Sequence, residues 1–172
     1  MKKSEIKKLP QHFDAYINLV DDQELLVALK NSLNFTTLID VPKLKKLADF
    51  SYAPNKWTIK DILQHLIDAE RILTYRALRF ARNDATELPG FEEAEYAQNT
   101  NASRRTIDDL LAELTVVRNA TILLFQNFDN AMLLREGVCF KLKINVLSLG
   151  FSVVGHQMHH FNVIRSRYFN KG

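Results

Sequence analysis

Long stretches with helical apolar spacing are the feature that most limits what this chain can fold into. Residues 58–83, 106–128 and 145–169 contain no proline, and their apolar residues recur three and four positions apart. A fourth stretch near the N-terminus has the same spacing, and we find no repeats, no low-complexity segment and no strand-like alternation. Four helical segments in 172 residues predict an all-α fold, a four-helix bundle.

The N-terminal stretch is expected to form two helices or one bent helix. Residues 10–20 carry apolar side chains at helical spacing, and residues 25–33 carry leucines at the same spacing. Asp21 or Asp22 is the candidate N-cap of the second helix, since a carboxylate can accept a hydrogen bond from the first free N–H groups.

Proline and a lost period mark the predicted connections. Pro42 is expected to end the N-terminal helical region, because proline disfavours helical backbone at the preceding Val41. Residues 43–56 have no clean period and predict a crossover with at most one short helical turn. Residues 92–98 predict a short helix within an acidic connection, and residues 135–137 predict a loop.

Composition favours one soluble domain spanning residues 1–172. Hydrophobic residues make up 47% and charged residues 25%, a balance typical of globular proteins with a single core. A net charge of +3 without a basic stripe on any helix argues against nucleic-acid binding. No apolar run reaches the about 18 residues of a membrane span, and no signal peptide is predicted. The lone Cys139 excludes an internal disulfide and suits the cytoplasm.

Three of the five histidines fall within residues 155–161, inside the last predicted helix. Positions four apart lie one turn apart on a helix, so His156 and His160 share one stripe and His159 borders it. Two imidazoles so placed can chelate one divalent metal, but a metal site needs a third ligand, usually from another element. For the pair alone, ordinary hydrogen-bonded histidines are the alternative interpretation.

His65 lies among Ile62 and Leu66 in the helix predicted for residues 58–83, so it is expected to face the core or its edge. A buried imidazole needs partners for both ring nitrogens, and a metal would satisfy one of them. Asp61 and Asp68, one turn to either side, are candidate acceptors for the other nitrogen and candidate catalytic bases. The alternative for both is a helix cap or a surface charge. Weaker candidates for the base lie in the mid-chain connection: Glu92, Glu93 and Glu95.

Metal sites in helical bundles are built from facing helices. His65 on one helix, with His156 and His160 on another, would form a three-histidine site. Three protein ligands leave positions open on the metal, which is typical of catalytic sites. Imidazole suits zinc, nickel, copper and iron alike. The sequence therefore predicts a divalent metal ion, with zinc and nickel favoured and iron as a further candidate.

The arginines of residues 71–82 are the other charged group of note. Arg76 lies almost in line with His65 and could receive an anionic substrate group, but it is about 16 Å further along the helix axis. A solvated face, or an ion pair with Glu70 or Asp68, is the favoured interpretation of these arginines.

Two sequence blocks together resemble a known family. The block Gly-His-Gln-Met-His-His at residues 155–160 and the block Lys-Trp-Thr-Ile-Lys-Asp-Ile-Leu-Gln-His at residues 56–65 resemble the DinB/YfiT-like family. Residues 68–83 and 88–91 resemble one bacterial branch of it. The resemblance runs from about residue 16 to residue 168, and the two histidine blocks in this order are more specific than either block alone.

The resemblance implies a four-helix bundle with an up-down-down-up order, which needs long crossovers such as the two non-periodic connections. It also implies a divalent metal held by His65, His156 and His160, with His159 beside them and not a ligand. Members of the family are often dimers, which predicts a homodimer.

The same resemblance suggests two kinds of activity. Some members resemble metal-dependent hydrolases, and others are thiol S-transferases that use a low-molecular-weight thiol. The first hypothesis is therefore a metal-dependent hydrolase of an unidentified small molecule. A metal-dependent thiol S-transferase is the alternative, since a coordinated thiol is deprotonated. A non-catalytic metal-binding or ligand-binding module of a stress response, and a helical interaction protein, are the non-enzymatic alternatives.

Overall fold

Helices make up most of the computed structural model, which describes residues 1–170. The long helices are α5 (Ile59–Ala81), α7 (Ile107–Gln126) and α9 (Val146–Val163), and the last continues into a π-helical turn, Ile164–Tyr168. The shorter helices in this part of the chain are α1 (Asp14–Ile17), α2 (Leu25–Asn31), α3 (Phe35–Leu38), α4 (Val41–Lys46), α6 (Glu93–Gln98) and α8 (Asn130–Leu134). Two short strands, β1 (Glu136–Cys139) and β2 (Leu142–Asn145), pair antiparallel before α9.

The long helices pack as three members of a four-helix bundle. Helix α5 contacts both α7 and α9, while α1 packs on α9 and α2 packs on both α9 and α7. The fourth member is therefore the broken N-terminal segment, α1 with α2. The predicted all-α four-helix bundle is confirmed, and the up-down-down-up order stays a prediction.

Capping residues fix where the long helices begin. The Thr58 hydroxyl accepts from the Asp61 N–H at 3.2 Å, and the Asp61 carboxylate accepts from the Thr58 N–H at 2.9 Å. Thr106 and Asp109 form the same reciprocal pair at the start of α7. Asn145 caps α9 by accepting from a backbone N–H in its first turn at 2.7 Å. Because the starts of α5 and α9 are fixed, the histidines on both helices have defined positions.

The N-terminal helical region was expected to end at Val41, before Pro42, but it continues past this residue. Helix α4 begins at that residue, with Asp40 as its N-cap accepting from the Lys43 N–H at 2.9 Å. Pro42 lies in the first turn, where its missing N–H has no helical partner to lose. The prediction was wrong because proline can begin a helix as readily as it ends one.

The carboxylates before α2 hold the N-terminus instead of capping the helix. Asp22 accepts from the Ser4 N–H at 2.9 Å, and the Glu24 carboxylate binds the terminal amino group of Met1 at 2.6 Å. The predicted cap by Asp21 or Asp22 is therefore wrong, and α2 begins after Glu24 without a side-chain cap. These carboxylates are hydrogen-bonded to residues that are distant in the sequence, Ser4 and Met1, and not to the first turn of α2.

The loop predicted for residues 135–137 is wrong, because β1 begins at Glu136. The hairpin turns at Phe140 and Lys141, both with positive φ. Leu88 binds its edge: the Leu88 N–H donates to the Val138 carbonyl at 2.9 Å and the Leu88 carbonyl accepts from the Phe140 N–H at 3.0 Å. Strands of four residues are too short to show alternation in the sequence.

A polar layer divides the apolar core into two halves. On α9, Val154 belongs to one half and Phe161 to the other; on α5, Ile67 and Leu73 are divided in the same way. Five buried polar side chains lie between the halves: Glu70, Arg118, Thr121, His156 and Gln157. The centre of the bundle is therefore the place where a polar site can form.

Gly155 allows α1 to lie directly on α9. A Cβ at this position would collide with the backbone carbonyl of Tyr16. The backbone of α1 thus reaches the helix next to His156, and the Tyr16 side chain enters the central layer beside that histidine.

Candidate metal centre

Three histidine side chains converge in the polar layer. The Nε2 atom of His156 lies 3.1 Å from Nε2 of His65 and 3.0 Å from Nε2 of His160. One ring nitrogen from each residue lies within 4.8 Å of the other two. His65 comes from the second turn of α5, and His156 and His160 lie one turn apart on α9. The structure therefore brings together the three residues that the sequence predicted as ligands.

Hydrogen bonding alone does not account for this arrangement. A ring nitrogen carries either one hydrogen or one lone pair in the ring plane, so Nε2 of His156 can form one well-directed hydrogen bond. It faces two other nitrogens at the same short distance. Zinc bonds of about 2.0–2.1 Å in a tetrahedron place neighbouring ligand atoms about 3.3 Å apart. Both separations are close to this value, so the donor set fits a small divalent cation.

Burial keeps all three imidazoles neutral near pH 7. It lowers the pKa of His65 from 6.5 to about 4. Burial, and then the charges of the neighbouring histidines, lower the pKa of His160 to about 3. The same causes hold the pKa of His156 well below its ordinary value. Neutral imidazoles offer the lone pairs that a metal requires.

These pKa values predict that acid destabilises the metal-free protein. The unfolded chain takes up protons below about pH 6.5 that the folded protein excludes, so the free energy of unfolding decreases as the pH is lowered. Each histidine that stays neutral is expected to cost about 2 kcal/mol between pH 7 and pH 5. Urea unfolding at several pH values, in the presence of a chelator, measures the slope of the free energy of unfolding against pH. The variant His65→Gln should show a shallower slope, and an unchanged slope would contradict the assignment.

Aromatic rings enclose the histidine cluster. The centroid of the Trp57 ring lies 4.9 Å from that of the His65 ring and 6.4 Å from that of the His160 ring, to which the Trp57 ring is nearly parallel. The Tyr16 and His156 rings are in a T-shaped arrangement, with their centroids 5.1 Å apart. These contacts hold the imidazoles in place and shield their faces from water. The sequence offered no signal for Tyr16 beyond its place among apolar positions.

His159 stays outside the convergence of ring nitrogens. Its half-buried ring lies 5.3 Å from the Tyr16 ring and 5.1 Å from the His160 ring, in both cases edge-on. Its nitrogens do not belong to the group formed by His65, His156 and His160. His159 therefore lies beside the three converging histidines, and its exclusion from the ligand set stays a prediction.

The carboxylate that reaches the cluster comes from α6. An oxygen of Glu93 lies 4.0 Å from Nε2 of His65. Burial, and then the charge of Glu92, raise the pKa of this half-exposed carboxylate. Glu93 is one of the residues that the sequence ranked as weaker candidates, because its distance from the histidines along the chain hid its proximity in space.

The predicted catalytic carboxylates Asp61 and Asp68 have other partners. Asp61 accepts from the N–H and, at 2.8 Å, from the hydroxyl of Thr58, so it caps α5. Asp68 accepts from the Gln64 amide at 3.0 Å. Both are thus engaged away from the imidazole that they were expected to support. Their catalytic role stays a prediction, and Glu93 is better placed for it.

Arg76 differs from the other arginines of its helix. Arg71 forms an ion pair with Glu113 at 2.7 Å and lies near Asp68 at 3.9 Å, in agreement with a surface role. Arg76, by contrast, is only 5% exposed. Glu70, its predicted partner, is bound by Arg118 instead. The interpretation of Arg76 as solvated or paired with Glu70 or Asp68 is wrong.

A cavity of about 400 Å³ opens beside the cluster. His156 and Glu93 form part of its wall near the histidines, and Arg76 lies in the wall contributed by the later turns of α5. Its remaining walls are mainly apolar and come from α1, α5, the segment before α6, and the hairpin. The residues concerned include Phe13, Tyr16, Leu73, Phe91, Phe140 and Leu142. A small molecule in this cavity would contact both His156 and Glu93.

Family comparison agrees with this geometry. Residues 6–164 match the sequence model of the DinB superfamily. The chain belongs to the DinB superfamily. No curated protein sequence matches it.

A solved structure similar to this DinB superfamily member is YfiT from Bacillus subtilis. YfiT is described as a probable metal-dependent hydrolase with an unusual four-helix bundle topology. The two are 17% identical, with a TM-score of 0.63 over 93% of this chain and 87% of that chain. At this identity the likeness shows a shared fold.

A buried hydrogen-bond network positions α9 in this DinB superfamily member. Arg118 donates to both carboxylate oxygens of Glu70, at 2.8 and 2.9 Å, and to the Gln157 side-chain oxygen at 2.9 Å. The Gln157 amide donates to the Ser32 carbonyl at 2.8 Å, and Arg118 also contacts the Ser32 hydroxyl. Because Gln157 follows His156 directly, the network ties α2, α5 and α7 to α9 beside the histidine cluster.

Other properties predicted for the DinB superfamily member stay predictions. They are the single domain, the homodimer, the cytoplasmic location and the absence of nucleic-acid binding. Among the helices of residues 1–170, not one combines the length and apolar character that crossing a bilayer requires.

Proposed function

We propose that this chain is a divalent-metal-dependent hydrolase whose metal is held by Nε2 of His65, His156 and His160. Convergence of these three nitrogens beside a cavity carries the proposal. Zinc and nickel are the favoured ions, with iron as a further candidate, since all three accept imidazole ligands. The description of YfiT as a probable metal-dependent hydrolase supports the same reaction class.

A divalent ion at this position supplies Lewis acidity at the coordination positions that three protein ligands leave open. The protein itself supplies the proton acceptor. Glu93 lines the cavity, and its raised pKa makes the carboxylate a better base than an exposed one. It can take a proton from water or a substrate group beside the histidines.

Tyr16 is the proposed hydrogen-bond donor. Burial, and then the negative charge of Glu93, raise the pKa of its phenol, so the hydroxyl keeps its proton at neutral pH. The ring lies in the cavity wall against His156. A phenol in this place can donate to negative charge that develops on a carbonyl or phosphoryl oxygen.

The variant Glu93→Gln is expected to lose about 10²–10⁴-fold in kcat while its metal affinity stays unchanged. The amide keeps the shape of the carboxylate but cannot accept the proton. Steady-state kinetics with a substrate identified from a panel of small esters, amides and phosphoesters gives kcat. A metal titration of each variant gives the metal affinity. Glu92→Gln, which changes the neighbouring carboxylate, is the matched control and should keep most activity. Equal losses in both variants would show that the acidic segment acts by charge alone.

Metal analysis and a substrate panel test the function. Protein purified without an affinity tag should contain one divalent ion per chain, and the metal-loaded form should hydrolyse a member of a panel of small esters, amides and phosphoesters. Loss of turnover with chelator and its return with metal would support the hydrolase. Transfer of a low-molecular-weight thiol without hydrolysis would favour the thiol S-transferase. Stoichiometric metal without turnover would favour a binding module.

A further inference from the structure

Arg76 is a buried cation that has no carboxylate partner among residues 1–170. Its guanidinium donates to the Pro89 carbonyl at 2.8 Å and lies over the Phe91 ring at 5.9 Å. Within residues 1–170 no Asp or Glu forms an ion pair with it, although its neighbours Arg71 and Arg79 each have one. Only 5% of the residue is exposed, and it lines the cavity beside the histidine cluster.

Leaving a guanidinium buried and unpaired is costly, because the charge loses its hydration without gaining a counter-ion. The group carries five N–H donors in a planar fork, and the carbonyl of Pro89 occupies only part of that capacity. The fork matches the two oxygens of a carboxylate or phosphate. The free donors of Arg76 therefore make this part of the cavity suited to an anionic group.

The cavity floor links this cation to the histidine cluster. Ala69, Leu73 and Arg76 line the cavity at spacings of four and three residues, which places them on one stripe of α5. This stripe begins at His65, whose Cα lies about 16 Å from that of Arg76 along the axis. Arginine side chains on a helix lean toward its N-terminus, which shortens the span between the functional groups.

The surroundings of the cavity indicate the rest of the ligand. Most of the other residues that line the cavity have aromatic or aliphatic side chains. Glu93 lies at the histidine end, 4.0 Å from His65, and Glu92 lines the same cavity. The Glu93 carboxylate repels an anion near the histidines, so a negatively charged group is directed toward Arg76.

We propose that the cavity binds an amphiphilic small molecule with an apolar body and a terminal carboxylate, and that Arg76 binds the carboxylate. The opposite end of the molecule then lies at the histidines, where the bond to be hydrolysed is placed. The identity of the reacting end rests on the proposed hydrolase function. Anion binding by Arg76 rests only on the cavity and on the unpaired guanidinium.

Octanoate and octanamide are matched probes for this subsite, since they differ in the charge of one terminal group. Full-length protein treated with chelator is titrated with each probe by calorimetry or by NMR chemical shifts, and the metal-loaded protein is titrated in parallel. The chelator-treated protein is expected to bind octanoate at least about tenfold more tightly than octanamide. Arg76→Gln should abolish this preference. Arg82→Gln, which removes an exposed arginine of the same segment, should keep it.

The results separate this proposal from the hydrolase function. A preference for octanoate that persists in Arg76→Gln, or that is absent from the chelator-treated wild type, overturns the proposal, because the carboxylate would then bind elsewhere or to the metal. If Arg76→Gln does not fold, Arg76→Lys, which keeps the charge and loses the fork, should show a reduced preference; an unchanged preference counts against guanidinium pairing. If the protein prefers octanoate but hydrolyses no substrate, the anion-binding proposal is supported and the proposed hydrolase function is contradicted.

Discussion

Protein carrying His160→Ala is expected to bind zinc at least about a hundredfold more weakly than the wild type, because one of three ligand nitrogens is lost. His160 is half-buried at the edge of the cluster, so the substitution leaves a smaller void than the same change at the more deeply buried His156. Competition with a chromophoric chelator measures the affinity. Circular dichroism of the metal-free variant checks that the helices remain.

His159→Ala is the matched control for this experiment. The residue is adjacent on the same helix, carries the same side chain and lies outside the convergence of ring nitrogens. Zinc affinity should change less than about threefold, within the range of an indirect effect. Similar losses in both variants would mean that the ion binds on the outer face of α9. An unchanged affinity in His160→Ala would remove that residue from the ligand set.

The second large effect is expected at Arg118, where methionine should lower the free energy of unfolding by about 3–5 kcal/mol. Arg118 and Glu70 are 1% and 2% exposed, so the variant leaves a carboxylate buried without its counter-ion. It also removes a hydrogen bond to Gln157 on α9. Urea unfolding measures the change.

A surface pair between the same two helices provides the control. Arg71 on α5 binds Glu113 on α7 at 2.7 Å, but its side chain is 50% exposed. Arg71→Met should therefore cost less than about 1 kcal/mol. Adding Glu70→Gln to Arg118→Met should restore part of the lost stability, because the uncompensated charge is gone. Equal costs for Arg71→Met and Arg118→Met would show that the buried pair contributes no more than a surface pair.

Helical periodicity was enough to predict the histidine face. His156 and His160 lie on one stripe because residues four apart share a helix face, and His65 faces inward because its neighbours are apolar. The cap at Thr58 likewise follows from local sequence, since its partner is three residues away. These features depend on spacing within one helix, which a sequence displays directly.

Features that depend on contacts between segments distant in the sequence could not be predicted from helical spacing. Glu93 lies near His65 because the acidic connection folds back over α5, and nothing in its own sequence distinguishes it from Glu92 or Glu95. Arg76 resembles the surface arginines of its helix until Pro89 and Phe91 cover it. The hairpin strands are stabilised in part by Leu88, which comes from an earlier stretch of the chain. Tertiary contacts decide each of these cases.

The contact of Tyr16 with Gly155 has a consequence for how the centre is assembled. Tyr16 lies on α1 and Gly155 on α9, so the two residues that meet are far apart in the sequence. The cavity therefore closes only after both helices have been made, and a contact of such high sequence separation is slow to form. A chain that lacks α1 would retain all three imidazoles yet leave one side of His156 open to water.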